Sequence, residues 1–201
     1  MKQKLILPLL LLSLLLSMGN LQKRREALAD RIAPSILRFH ILANSDSKTD
    51  QAVKLEVRSF LLDYIRDHLP ESADSKNEVS GWLFKNKTSL ETAASRFLAE
   101  KQMPYSAALS LERTWFPTRV YDDLVIPCGT YDAARLILGK GKGHNWWCVL
   151  YPSLCFLDES HGIVSEEKKE DLREVLTEEE FLTILNDPEK RDQVKIGFKW
   201  F

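Results

Sequence analysis

Residues Gly139 to Phe156 read GKGKGHNWWCVLYPSLCF and join a glycine-and-lysine loop, a tryptophan pair and two cysteines. Glycine admits backbone dihedrals closed to other residues and lets the chain pass close to neighbouring backbone. Side chains adjacent on a strand point to opposite faces. A strand through Trp146, Val149 and Leu150 therefore sends the two indoles opposite ways, one to anchor a core and one outward. Cys148 and Cys155 flank Tyr151-Pro152-Ser153, a turn signal that folds the segment back and makes these cysteines the natural disulfide pair. Closing a loop of about eight residues in this way gains about 2.5 kcal/mol on the chain-entropy model. A metal site of Cys148, Cys155 and His161 is the alternative, although a C-x6-C spacing is not a usual zinc signature. Cys128 is left over and reads as a small buried hydrophobe.

Upstream, Ile36–Leu42 is a buried strand that runs into Asn44-Ser45-Asp46-Ser47, a cluster of helix-capping residues. A helix follows over Lys48–His68, where Val53, Val57, Phe60, Leu61 and Tyr64 form one apolar stripe. Thr88-Ser89-Leu90-Glu91 fits a capping box, and a second amphipathic helix carries Leu90, Ala93, Ala94, Phe97 and Leu98. Alternation from Tyr105 to Phe116 predicts a half-buried strand, and Leu124-Val125-Ile126 a short partner. Pro127-Cys128-Gly129-Thr130 turns into a helix carrying Tyr131, Ala134, Ile137 and Leu138, stopped by Gly139. The order β-α-α-β-β-α-β predicts an α+β fold, a split-βαβ, ferredoxin-like sandwich with one extra helix. Residues 158–180, rich in charge, read as an exposed linker. A short helix near Glu178–Leu185 follows, and Val194–Phe201 alternates like an added edge strand.

At the other end, Lys2 and Lys4 precede an apolar run of 14 residues, Leu5–Met18. That is shorter than the roughly 20 residues needed to span a bilayer and matches the core of a signal peptide. Ser17-Met18-Gly19 supplies a small-x-small cleavage site. A retained anchor through residues 5–18 is the alternative, since Lys23, Arg24 and Arg25 follow the run. Both readings place the rest of the chain outside the cytoplasm. The organisation is a leader or short anchor over 1–19, a basic juxtamembrane segment over 20–34, an α+β domain over 35–157, and a charged linker and tail over 158–201.

Hydrophobic residues make up 44% of the chain, enough for a core, and the net charge of −1 gives no electrostatic case for nucleic acid. Three cysteines are too few for a disulfide-dense scaffold. Gly139-Lys140-Gly141-Lys142-Gly143 precedes a strand rather than a helix and lacks a Walker pattern, so it reads as a structural loop. There is no H-E-x-x-H and no G-x-S-x-G motif. Cys128 with His40 or His144 is the available pair for a thiol hydrolase, without a local signature to support it. No cofactor, metal or small-molecule substrate is expected, and the residues read as an exported binding domain.

Four segments carry a family resemblance. They are Phe39–Ser47 with Asp50-Gln51; Phe116-Pro117-Thr118-Arg119 with Tyr121; Pro127, Gly129, Tyr131, Ala133 and Arg135; and Gly139–Leu150 with Leu154-Cys155-Phe156. In these the chain resembles the stage II sporulation protein R family of endospore-forming Firmicutes. Cys128 stands where that pattern has a small residue, and Ser153 where it has a second proline. The resemblance implies a non-catalytic signalling protein exported into the space between forespore and mother cell. Its partner would be a membrane-embedded aspartic peptidase that processes pro-sigma-E, with the membrane touched only through the leader. An exported hydrolase of thiol or cell-wall type is the competing expectation. Residue choice points to one recognition face built from Asn44, Ser45, Asp46, Arg135, Lys142, His144, Asn145, Trp146 and Trp147.

Overall fold

The computed structural model describes residues 3–155 and 164–185, with side chains from residue 12 onward. In chain order the elements are α1 Gln3–Ile32, β1 Leu37–Leu42, α2 Lys48–His68, α3 Lys76–Lys85 and α4 Lys87–Glu100. Then come β2 Ala107–Phe116, β3 Arg119–Tyr121, β4 Leu124–Ile126, β5 Gly129–Leu138, β6 Asn145–Tyr151, α5 Glu166–Val175 and α6 Glu178–Ile184. The class is α+β. The tail over 194–201 and His161 lie outside the described residues.

The main sheet has the order β2-β5-β1-β6, and β3 and β4 form a separate two-stranded ribbon. Its central pair, β1 and β5, is parallel, and both outer pairings are antiparallel. The ferredoxin-like expectation needs a helix before the last strand. Instead the segment over 129–138 is strand β5, ten residues long. Tyr131, Ala134, Ile137 and Leu138 imitate helical spacing only because a central strand is apolar on both sides. Tyr131 and Ala133 enter one core, while Ala134, Leu136 and Leu138 enter the other.

Alternation along β1 divides those cores. Leu37, Phe39 and Ile41 face α2, α3 and α4, where they meet Val53, Val57, Leu61, Ile65, Val79, Leu83, Leu90 and Leu98. Each such side chain contributes roughly 1.5–3 kcal/mol by leaving water. On the opposite face the C-terminal turns of α1 bring Ala29 and Ile32 to Phe116, Tyr131, Val149, Leu172, Phe181 and Ile184. Arg38 lies in this second layer with no exposed surface, its guanidinium 4.4 Å from the Phe116 ring centre and 5.2 Å from that of Tyr131.

Three further differences from the sequence reading have local causes. The stretch read as an exposed linker contains α5, capped by Ser165 and docked through the buried Leu172, with Val164 and Leu176 buried just outside its two ends. Its Lys169 is buried too, with Nζ 2.9 Å from both Asp123 and Glu166. Helix α3 follows the polar run after Pro70, capped by Ser75 and docked through Val79 and Leu83. α4 starts at Lys87 behind Asn86, so Thr88 sits inside the helix and makes no capping box. Among the described residues, no helix is long and apolar enough to cross a membrane.

Candidate functional site

β5 and β6 lie on opposite sides of β1, yet only residues 139–144 join them. The loop must therefore stride across two strand spacings, roughly 9.6 Å, over the point where β1 runs into α2. It does so as a strap bonded to the backbone beneath it. Gly143 N donates to Ala43 O at 2.9 Å and Lys142 N to Asn44 O at 3.2 Å. Gly139 and Gly141 hold positive φ, +56° and +59°, which side-chain-bearing residues seldom adopt. A Cβ on Gly143 would run into the carbonyl of Ser45, so the strap lies flat only with glycine there.

Asn44 ties the two loops together. Its Oδ1 accepts from Lys140 N at 3.0 Å, and its Nδ2 donates to Asp50 Oδ2 at 2.9 Å. Asp50, in the first turn of α2, also accepts from the hydroxyls of Ser45 and Tyr105, the latter at 2.6 Å. Burial alone would raise this carboxyl's pKa. The donors Ser45, Tyr105 and Asn44 outweigh it and hold the group below the ordinary carboxylate value. Burial and the Asp50 carboxylate together push the Tyr105 phenol upward.

Outside this buried knot, Asp46 accepts from His144 N at 2.6 Å, and His144 Nδ1 lies against the same oxygen. The His144 backbone donor, more than any other influence, keeps Asp46 acidic. Lys54 reaches from α2 to His144 O at 3.0 Å and Gln51 Oε1 at 2.7 Å. Gln51 Nε2 closes the circuit on Ser45 O at 2.9 Å. Sequence reasoning left out Asp50, Gln51, Lys54 and Tyr105 as members of this knot. The polar character of Asp50 and Lys54 on the first turns of an otherwise apolar-faced helix was the available signal.

The structure thus gathers Asn44, Ser45, Asp46, Lys142 and His144 at one end of the sheet, with Asn145 opening β6 beside them. Trp146 and Trp147 leave on opposite faces, both half-buried. Trp146 meets Phe39 edge-on at 6.2 Å under the Arg58 guanidinium, 5.3 Å from its ring centre. Trp147 stacks on His40 at 4.8 Å, with Arg119 5.5 Å from its own ring centre. Arg135 stands apart from the knot. It is paired with Glu112 at 3.0 Å, and register places it beside His40, in one row with Trp147.

Cys148 and Cys155 are joined by a disulfide with a Cα–Cα separation of 5.4 Å, within the usual range. Cys128 is buried, and its sulfur accepts from Gln22 Nε2 at 3.4 Å. Neither ring nitrogen of His40 has a hydrogen-bond partner, so that ring is not poised on the thiol. His144 is engaged by Asp46 instead. Among the described residues no cluster of three or more His, Cys, Asp or Glu is arranged to hold a metal.

This is an α+β domain in which the loops over 43–47 and 139–144 interlock at one end of the sheet. The chain belongs to the stage II sporulation protein R family, whose model matches residues 33–161. It is 33% identical over 153 residues to stage II sporulation protein R of Bacillus subtilis (strain 168), an alignment covering 69% of this chain. The matched part is 62% of that relative, so the chain spans less than two thirds of its length. No solved structure matches.

Proposed function

We propose that this chain is an exported signalling protein of sporulation that activates a membrane-embedded aspartic peptidase, which then processes pro-sigma-E. Family membership over residues 33–161 is the observation that carries the reading. The basic start and apolar Leu5–Met18 run support delivery to the space between forespore and mother cell, and the Cys148–Cys155 disulfide suits an oxidising compartment.

Activation by contact requires the messenger to bind the active arrangement of the peptidase more tightly than the inactive one. The strap over residues 139–144 suits that role, because its shape is fixed before any partner arrives and little ordering is left for binding to oppose. Lys142 and the largely exposed side chain of His144 present the outer surface of the strap.

The test is a Lys142→Glu, His144→Ala double variant, co-expressed with the peptidase and pro-sigma-E in a non-sporulating host. Backbone bonds from residues 142 to 144 survive these changes, so the domain stays folded while processing drops at least tenfold. Wild-type processing by a folded double variant assigns recognition to another face.

A further inference from the structure

β2 is an edge strand, and α4 covers only half of its free side. The β2–β5 register runs without a shift from Ala107 against Leu138 to Phe116 against Gly129, so alternate residues of β2 turn their backbone groups outward. Two bonds fix which ones. Ala107 N donates to Ser95 Oγ at 3.0 Å and Leu109 N to Glu91 Oε1 at 2.8 Å, both on α4. The same parity turns Leu111, Arg113 and Trp115 outward. Among the described residues, their N–H groups have no partner. Trp115 is 53% exposed beside them.

A cleft of about 370 Å³ adjoins this bare edge on the helix-covered face, lined by Leu37, Lys76, Ser80, Leu111, Arg113 and Asp132. Two cations share one carboxylate there: Lys76 Nζ lies 2.6 Å from Asp132 and Arg113 Nε 3.7 Å from it. Glu112 also lines the cleft, but its carboxylate is paired with Arg135 at 3.0 Å, so Asp132 alone serves both Lys76 and Arg113.

We propose that the Leu111–Trp115 edge receives an extended segment of a partner polypeptide as an added strand, with an acidic side chain at Arg113 and an apolar one against Trp115. Strand addition draws affinity from main-chain hydrogen bonds and specificity from alternate side chains, which are the two things this edge and cleft offer. A second copy of the chain fits poorly, because antiparallel self-pairing centred on Arg113 sets guanidinium against guanidinium. The chain's own residues 194–201 bring Lys195 and Lys199 and no acid. The occupant assigned here is a different protein, with a segment of this chain left as an outcome of the test below, and identifying it as the peptidase rests on the function proposed above.

The experiment is amide hydrogen exchange on the full chain, alone and mixed with the detergent-solubilised peptidase, with processing measured on the same mixture. In the chain alone the amides of Leu111, Arg113 and Trp115 exchange quickly; in the mixture they slow at least tenfold. An Arg113→Glu variant, which sets a second carboxylate opposite Asp132 but leaves the main-chain bonds of the ladder to form, loses that protection while the β5 amides keep theirs. Protection already present in the chain alone assigns the edge to a self-contact and overturns the proposal. So does unchanged exchange in the mixture, or full protection in Arg113→Glu. Processing is read separately, so failure of the edge proposal and failure of the activation reading are distinguishable.

Discussion

Acidification should destabilise this domain through His40, beginning near pH 6.5, before carboxylates protonate. Its ring is 4% exposed, stacked on Trp147 and 5.1 Å from Phe116, and neither ring nitrogen is hydrogen-bonded. Burial, and then the positive charges of Arg135 and Arg38, push its pKa down to about 4 from the ordinary 6.5. With the folded pKa below the unfolded one, the unfolded chain binds a proton in that window that the folded chain refuses. Stability is therefore fully present above pH 6.5 and falls as the pH drops towards 4. A displacement of this size is worth about 3 kcal/mol. Urea unfolding at a series of pH values between 7 and 4, followed by tryptophan fluorescence, measures it. Wild type should lose about 3 kcal/mol more than a His40→Leu variant over that range. Parallel pH profiles for the two proteins would refute the assignment of a neutral, buried imidazole.

Three further perturbations probe the strap and its surroundings. Asn44→Ala removes a donor to the Asp50 carboxylate and the acceptor for Lys140 N, and should cost about 2–4 kcal/mol in urea unfolding. Gly143→Ala forces the strap off the Ser45 carbonyl and should cost about 1–3 kcal/mol, read as lowered protection of the residue-143 amide relative to wild type in hydrogen exchange. Replacing Cys148 and Cys155 together by serine should lower stability by about 2.5 kcal/mol, and adding reductant to wild type should reproduce the loss in a thermal melt.

Some of this architecture is legible in the residues and some is not. Helix α2 is readable from both ends, because Ser47 caps it through Asp50 N and its apolar stripe ends at Leu69-Pro70. β5 misleads, since a strand buried on both faces loses the period-two signal, and Ala134, Ile137 and Leu138 then pass for a helix stripe. α5 hides behind its charges: Leu172 is a lone apolar residue in a run of Glu, Lys and Asp, and only tertiary packing picks it out. In the strap, the glycines of residues 139–143 announce an unusual backbone. That it crosses over Ala43 and Asn44 follows from the strand order, which a single sequence does not state. Asp50 was readable as a helix-start acid, but its convergence with Tyr105 depends on two segments far apart in the chain.

The central claim, activation of a peptidase by contact, is tested most directly by reconstitution. The full chain, the membrane-embedded peptidase and pro-sigma-E are expressed together in a host that does not sporulate, and the length of sigma-E is followed by immunoblot. Shortened sigma-E should appear only when all three are present and the peptidase's catalytic aspartate is intact. Equal shortening without this chain, or an unprocessed precursor with all three present, contradicts the account.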